Sequence, residues 1–223
     1  MQLPTKIQNQ ASIGNCQFFI NLHPSKRSMQ PEETRYYHNK QFLKTTLPIT
    51  GTIDTQFDDC TFTNCDFTDA DFFGCDFINC TFTDCNLSMV KFGHNGFDKV
   101  EFINCKLVGV DFTQTKDFLF SINFTNCLLD YAAFMKKKNR KAHFTNCSLK
   151  GTDFSEADLT SAVFDRCDLS AAVFMRTTLN SANFVSSYHF TIDPEKNQLR
   201  KAKFAAEGLA GLLTNYGIIV EEQ

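Results

Sequence analysis

Thiols are the most conspicuous reactive groups in this sequence. Of its ten cysteines, nine (Cys60, Cys65, Cys75, Cys80, Cys85, Cys105, Cys127, Cys147 and Cys167) fall on a five-residue grid. Thiolates ligate zinc or exchange with disulfides, but these spacings lack the paired clusters of a zinc site. Such regularity makes the side chains small buried hydrophobes instead, with Cys65, Cys85 and Cys105 in one stack and Cys127, Cys147 and Cys167 in another. The histidines are scattered, and no Ser-His-Asp or Cys-His grouping emerges from the spacing of Asp, Ser and Thr. No catalytic residue, metal ligand or cofactor is expected.

Two charged features are suited to binding. Residues 51–113 hold eleven carboxylates against three cations, and residues 114–204 hold thirteen cations against nine carboxylates. The first group supplies the candidate partner-binding acids Asp58, Asp59, Asp66, Asp69, Asp71, Asp76, Asp84, Asp98, Glu101 and Asp111. The second contains the run Lys136-Lys137-Lys138-Asn139-Arg140-Lys141, which reads either as a solvated outward face or as a partner contact. The formal charge of −3 and pI near 5.9 argue against direct binding of nucleic acid or acidic membrane, both of which need a basic surface. No apolar stretch reaches the length of a membrane span, and the first twenty residues lack a secretory layout. The expectation is a cytoplasmic protein with reduced thiols.

What positions these groups is a repeat. Steps of five from Phe57 reach Phe62, Phe67, Phe72, Phe77, Phe82, Leu87, Phe92, Phe97, Phe102, Leu107 and Phe112. Steps of five from Leu119 reach Phe124, Leu129, Phe134, Asn139, Phe144, Leu149, Phe154, Leu159, Phe164, Leu169, Phe174, Leu179 and Phe184. We call these positions centres. The residue two before each centre, here the inner position, is Cys, Ala or another small residue in most units. The residue just before is often Asp or Asn, and the residue just after is often Thr or Ser. His94 and His143 fall outward on this grid, whereas His189 falls on a centre.

A period of five fits neither a helix nor an ordinary strand, but it fits one side of a square coil. Four units then close a coil of twenty residues, which pairs with the next at the ~4.8 Å strand spacing. The spacing predicts four stacked walls: Phe124, Phe144, Phe164 and Phe184; opposite them Phe134, Phe154 and Phe174; then Leu129, Leu149 and Leu169; and finally Leu119, Leu159 and Leu179 with Asn139 between them. The step from Phe112 to Leu119 is two residues too long, which places a bulge or small loop within 113–118. The rod from Thr52 to Phe204 should hold roughly seven and a half coils and extend roughly 35 Å.

Units such as Cys65-Asp66-Phe67-Thr68-Asp69 and Ala157-Asp158-Leu159-Thr160-Ser161 resemble the pentapeptide-repeat family. That resemblance implies an all-β solenoid, a right-handed quadrilateral β-helix, over residues 37–204. The tail, 205–223, resembles the C-terminal module of the Qnr-type quinolone-resistance members. There a short helix from Glu207 to Tyr216 ends at Gly217, and Ile218-Ile219-Val220 can add a strand. The resemblance implies a homodimer contact through Leu209, Leu212, Leu213, Tyr216 and Ile218; the plainer alternative is that they cap the last coil. Residues 1–36 match no known pattern and are either an ordered extension or a flexible arm.

The same resemblance implies a function. Qnr-type proteins present an acidic rod of DNA-like width to type II topoisomerases, which would make this chain a non-catalytic DNA mimic that binds DNA gyrase or topoisomerase IV and modulates quinolone sensitivity. Against this, Asp before a centre is also the repeat consensus, stabilising turns through its side chain. The alternative is a scaffold or interaction protein with an unrelated protein partner.

Overall fold

The computed structural model describes residues 35–44 and 54–219, so the expectations for residues 1–34 and for Val220 lie outside the described residues. Among the described residues there are eleven short strands: β1 (Arg35–His38), β2 (Gln41–Leu43), β3 (Thr55–Asp58), β4 (Thr61–Thr63), β5 (Asp76–Ile78), β6 (Thr81–Thr83), β7 (Gly96–Asp98), β8 (Val100–Ile103), β9 (Ile122–Thr125), β10 (His143–Thr145) and β11 (Val163–Asp165). All pair in parallel, as two sheets ordered β1-β3-β5-β7 and β11-β10-β9-β8-β6-β4-β2. Isolated parallel bridges such as Asp66↔Asn86↔Lys106↔Leu128 extend the same register over the remaining sides. The result is a four-sided parallel β-solenoid.

Its walls follow from the grid. Wall 1 carries Phe57, Phe77 and Phe97, and wall 2 is a ladder of nine rings from Phe42 to Phe204, stacked at centroid distances of 4.5 to 5.3 Å. Wall 3 begins at Phe67 and continues as leucines, and wall 4 is the phenylalanine ladder from Phe72 to Phe174. Rings of walls 2 and 4 also meet edge to face, as Phe134 and Phe144 do at 6.1 Å. Both geometries are favoured by the ring quadrupole, so the core is filled by its own centres.

The chain turns because the corner residue, two after each centre, adopts the left-handed conformation. Asn39, Asp59, Asn64, Asp69, Asn79 and Asp84 all have φ between 51° and 56°, and Gly74, Gly109 and Gly151 take corners with φ of 64° to 75°. Asn, Asp and Gly tolerate this region best. Gln114 and Ser186 are the corners that do not, and each precedes a break in the repeat.

At those breaks the register differs from the expectation. Leu119 is 56% exposed with φ 56°, and Phe120 takes the inward place instead; the loop before it, 116–119, projects outward. His189 is likewise exposed with φ 60°, and Phe190 is buried in its stead. Both breaks share one arrangement, Leu119-Phe120-Ser121-Ile122 and His189-Phe190-Thr191-Ile192: a left-handed residue, a buried Phe and, two later, a buried Ile. A left-handed residue at the grid position turns its own side chain out and its successor in. Neither Leu119 nor His189 is therefore a core centre.

After Phe204 the chain forms two 3-10 turns, Ala206–Gly208 and Thr214–Tyr216, around the single helical turn α1 (Ala210–Leu213), and Gly217 ends them with φ 62°. Ile192 N–H donates to the Gly211 carbonyl at 3.0 Å, and Leu212 packs against the core. Among the described residues no helix is long and apolar enough to cross a membrane.

Candidate protein-binding walls

The inner position is more than a small hydrophobe. Cys80 Sγ donates to the Phe57 carbonyl, Cys105 Sγ to Phe82 and Cys147 Sγ to Phe124, each 23 residues back and at 3.4 to 3.6 Å. Several other donors at the inner position make the same contact: Thr152 Oγ1 to Leu129, Thr177 Oγ1 to Phe154, Ser187 Oγ to Phe164 and Asn197 Nδ2 to Phe174. In these units the inner residue also supplies a donor to a buried carbonyl, whereas Ala, Val and Ile occupy the same place elsewhere as hydrophobes alone. The six thiols of Cys65, Cys85, Cys105, Cys127, Cys147 and Cys167 form one column rather than two, continued by Ser187, because the two-residue insertion between Cys105 and Cys127 is absorbed in the loop 116–119. Burial pushes the Cys75 thiol up to about 11 and the Cys80 thiol up to about 12, the reverse of a reactive cysteine.

All ten candidate acids lie on the outside, exposed or half-buried. They do not share one wall. Asp58, Asp59, Asp76 and Asp98 belong to wall 1 and its far corner, Asp84 and Glu101 to wall 2, Asp66 and Asp69 to wall 3, and Asp71 and Asp111 to wall 4. The acidic face expected from sequence is an acidic collar around the N-terminal coils, interrupted by Lys91 and Lys106, which pair in register with Asp71 and Asn86.

Local chemistry accounts for six of the ten. Asp66, Asp71 and Asp111 each accept the backbone N–H two residues on, from Thr68 at 3.1 Å, Phe73 at 3.0 Å and Thr113 at 2.7 Å, the turn bond for which Asp is favoured. Those bonds hold Asp66 below its usual pKa, the Thr68 hydroxyl first and its N–H second. Asp59, Asp69 and Asp84 occupy left-handed corners. Asp58, Asp76, Asp98 and Glu101 answer to neither requirement, and three of these four stand on wall 1.

The basic run divides. Lys136 and Lys141 are corners and Lys138 and Arg140 flank the centre of wall 1, but Lys137 is an inner residue, 2% exposed. Its Nζ donates to the Thr115 carbonyl at 2.6 Å and to Asp117 Oδ1 at 2.7 Å, and lies 5.3 Å from the Phe120 ring. Asn139, the buried centre of the same unit, accepts the Ile122 N–H at 3.2 Å and donates to the Ile122 carbonyl at 3.0 Å. The polar unit lies one coil beyond the insertion and satisfies the backbone groups that the insertion displaces. Sequence reasoning saw only a weak repeat; the signal was its distance of about one coil from the long step.

His189 Nδ1 lies 3.0 Å from Asp168 Oδ1 and 3.2 Å from Ser170 Oγ. One ring nitrogen faces both partners, and Ser170 Oγ donates directly to Asp168 Oδ1 at 2.6 Å, so the three do not form a serine-to-histidine-to-carboxylate relay. Asp168 borders a shallow groove of about 460 Å³ lined also by Leu128, Ser148, Lys150 and Tyr188 among others. His38 Nδ1 lies 3.6 Å from Asp58 and 3.7 Å from Asp59. His38 and Asp58 are register partners on adjacent coils, which suffices to explain their approach.

At the tail, Leu209, Tyr216 and Ile218 are 46%, 47% and 55% exposed, Leu213 is half-buried, and Leu212 faces the core. The cap and the outward apolar surface are thus made by different residues.

Residues 55–134 match a family model described as a pentapeptide repeat region, and residues 140–174 match one described as pentapeptide repeats in eight copies. No curated protein matches the sequence. Among solved structures, full-length QnrB1, a plasmid-mediated fluoroquinolone resistance protein, is 22% identical, with 82% of this chain and 100% of that one covered at a TM-score of 0.43. HetL, a pentapeptide repeat protein involved in heterocyst differentiation regulation from the cyanobacterium Nostoc sp. strain PCC 7120, is 15% identical, with 78% and 88% covered at a TM-score of 0.43. Rfr23, a pentapeptide repeat protein from the cyanobacterium Cyanothece 51142, is 17% identical, with 48% and 88% covered at a TM-score of 0.23.

Proposed function

The chain belongs to the pentapeptide-repeat family, and on that premise we propose that it is a non-catalytic, cytoplasmic binding protein whose acidic N-terminal coils occupy the DNA-binding surface of a type II topoisomerase. One observation carries this reading: ten carboxylates project all around the rod over residues 58–111, while its interior is filled by its own side chains. A duplex is charged on every side, so a collar suits a DNA-binding saddle better than a single acidic face would. Asp58, Asp76, Asp98 and Glu101 weigh most, because the turns do not require them. The exposed apolar residues Leu209, Tyr216 and Ile218, with Leu213, form the homodimer contact, and Leu212 closes the last coil beneath them.

The test is supercoiling by DNA gyrase with and without a fluoroquinolone, using the full chain and a variant with Asp58, Asp66, Asp69, Asp71, Asp76 and Asp98 changed to Asn and Glu101 to Gln. Asparagine retains the turn-forming oxygen and removes the charge, so folding is preserved. Protection or inhibition that the variant loses supports the reading; no effect at micromolar protein rejects it. The second reading, an interaction protein with an unrelated partner, is favoured by the cations at 136, 138, 140 and 141, which oppose mimicry of a polyanion along the whole rod.

A further inference from the structure

Wall 1 changes sign along its length. Over its N-terminal coils the wall and its two bordering corners carry five carboxylates, Asp54, Asp58, Asp59, Asp76 and Asp98, against Lys99, with Asp76 also bonded by Lys116 of the following loop. Over its C-terminal coils the same strip carries eight cations, Lys136, Lys138, Arg140, Lys141, Arg176, Lys196, Arg200 and Lys201, against Glu156 and Asp158. Those two acids are already engaged, Glu156 by Arg176 and Asp158 by Arg140. The centres of the two halves are about four coil steps apart, so about 20 Å at the strand spacing. That exceeds the Debye length of about 8 Å at physiological ionic strength, and neither half neutralises the other.

Between the halves stands the loop 116–119. It belongs to wall 1, since Lys116 N–H donates to the Asn95 carbonyl and Lys116 Nζ bonds Asp76 at 2.6 Å. Its tip presents Phe118, 80% exposed, and Leu119, 56% exposed, and the buried Lys137 ammonium fixes its base through Thr115 and Asp117. The strip therefore reads acid, apolar, base along the axis.

A surface of this order is complementary to itself turned end for end. A two-fold axis through the loop brings the acidic half of one rod against the basic half of the other and sets Phe118 and Leu119 of both copies together at the middle. Desolvated apolar contacts at the centre with charged pairs at the rim are the usual anatomy of a specific interface, and an isologous contact of this kind closes as a dimer. We propose that wall 1 is a lateral interface between two antiparallel copies of this chain, with the loop 116–119 at its two-fold axis. This contact is separate from the tail contact proposed above, which is uncharged and at the end of the rod.

The experiment uses sedimentation equilibrium of the full chain at low and high salt. Variant A carries Lys138→Glu, Arg140→Glu and Lys141→Glu, and variant B carries Asp58→Lys, Asp76→Lys and Asp98→Lys; all six positions are outside the core, and circular dichroism verifies folding. Each is measured in a background with Leu209→Glu and Ile218→Glu, so that loss of the tail contact is scored separately. The parent in that background associates, at least about tenfold more weakly at high salt than at low. A and B alone lose the association, and an equimolar mixture of A with B regains part of it, because A's C-terminal half is left without net charge while its acidic N-terminal half still meets the basic C-terminal half of B. Phe118→Ser weakens the association at both salt concentrations. A parent that is monomeric at low salt overturns the proposal, as do variants that associate like the parent or a mixture that fails to associate. None of these outcomes bears on whether the acidic collar binds a topoisomerase.

Discussion

Replacing Asn139 by leucine restores the consensus centre, and a reading from the repeat alone expects it to stabilise the rod. The structure gives the opposite sign. Leucine fills wall 1 next to Leu159, a gain of about 1 to 2 kcal/mol over a paired amide. It also removes both hydrogen bonds between the amide and Ile122. Each such bond contributes about 1 kcal/mol, and a buried N–H left without an acceptor adds about 1 to 3 kcal/mol. The net expectation is a destabilisation of about 1 to 3 kcal/mol; Asn139→Ala, which lacks the leucine gain, falls further. The assay is urea unfolding followed by circular dichroism and by tyrosine fluorescence. The two probes must coincide before a midpoint is converted to free energy, since a solenoid can unfold in parts. An Asn139→Leu midpoint equal to or above that of the parent would refute the view that this unit exists to compensate the insertion.

Four further outcomes are expected. Cys167→Ser keeps a donor for the Phe144 carbonyl and should change stability by less than about 1 kcal/mol, whereas Cys167→Val, similar in volume but without a donor, should cost about 1 kcal/mol or more; denaturant midpoints of the pair decide it. The nine cysteines from Cys60 to Cys167 are all buried, so mass-resolved labelling by a thiol reagent at pH 8 should reach them only on unfolding. Burial works against the Asp168 carboxylate, but bonds from the Ser170 hydroxyl, His189, the Ser170 N–H and Lys150 hold its pKa down to about 2. A lowered folded-state value contributes stability above pH ~4 that is lost as pH falls towards 2. The midpoint gap between parent and Asp168→Asn, about 1 kcal/mol after solvent screening, should therefore close over that window in acid titration. A Cβ on Gly211 would lie 2.2 Å from the Phe190 carbonyl oxygen, so Gly211→Ala should lift α1 from the last coil, which hydrogen exchange at the Ile192 amide would register.

The period of five was legible because a solenoid writes its core directly into the sequence. The grid is no guide to the breaks, however, because it carries no information on backbone handedness. Leu119 satisfied it and Phe120 did not, yet φ at 119 decides which of them faces in. The same blindness put His189 on a centre position, where core and corner roles stayed open; its left-handed φ decides against the core. Polarity misled in the other direction: Lys137 and Asn139 looked like a lapse in the repeat, but their partners, Thr115 and Ile122, lie 22 and 17 residues away and come into reach only when the insertion is folded. Of the candidate acids, sequence established that they face outward; the division among four walls needed the coil register.

That division has a physical origin. The carboxylates at pre-centres and corners, Asp66, Asp71 and Asp111 with Asp59, Asp69 and Asp84, are placed by turn chemistry, which acts identically on every wall and so distributes charge evenly around the rod. Asp58 and Asp98 have no such duty, and neither do Lys138 and Arg140; Asp76 has none in its own turn but accepts the Gly96 N–H of the next coil at 2.8 Å. Positions free of the fold's requirements are the ones whose arrangement can record an interaction, and on this rod both signs of such charge gather on wall 1, separated by the loop 116–119. A partner that read only the repeat's obligatory acids would bind any wall equally. A partner that reads wall 1 must itself be polar along its axis, a condition met by a second rod laid antiparallel.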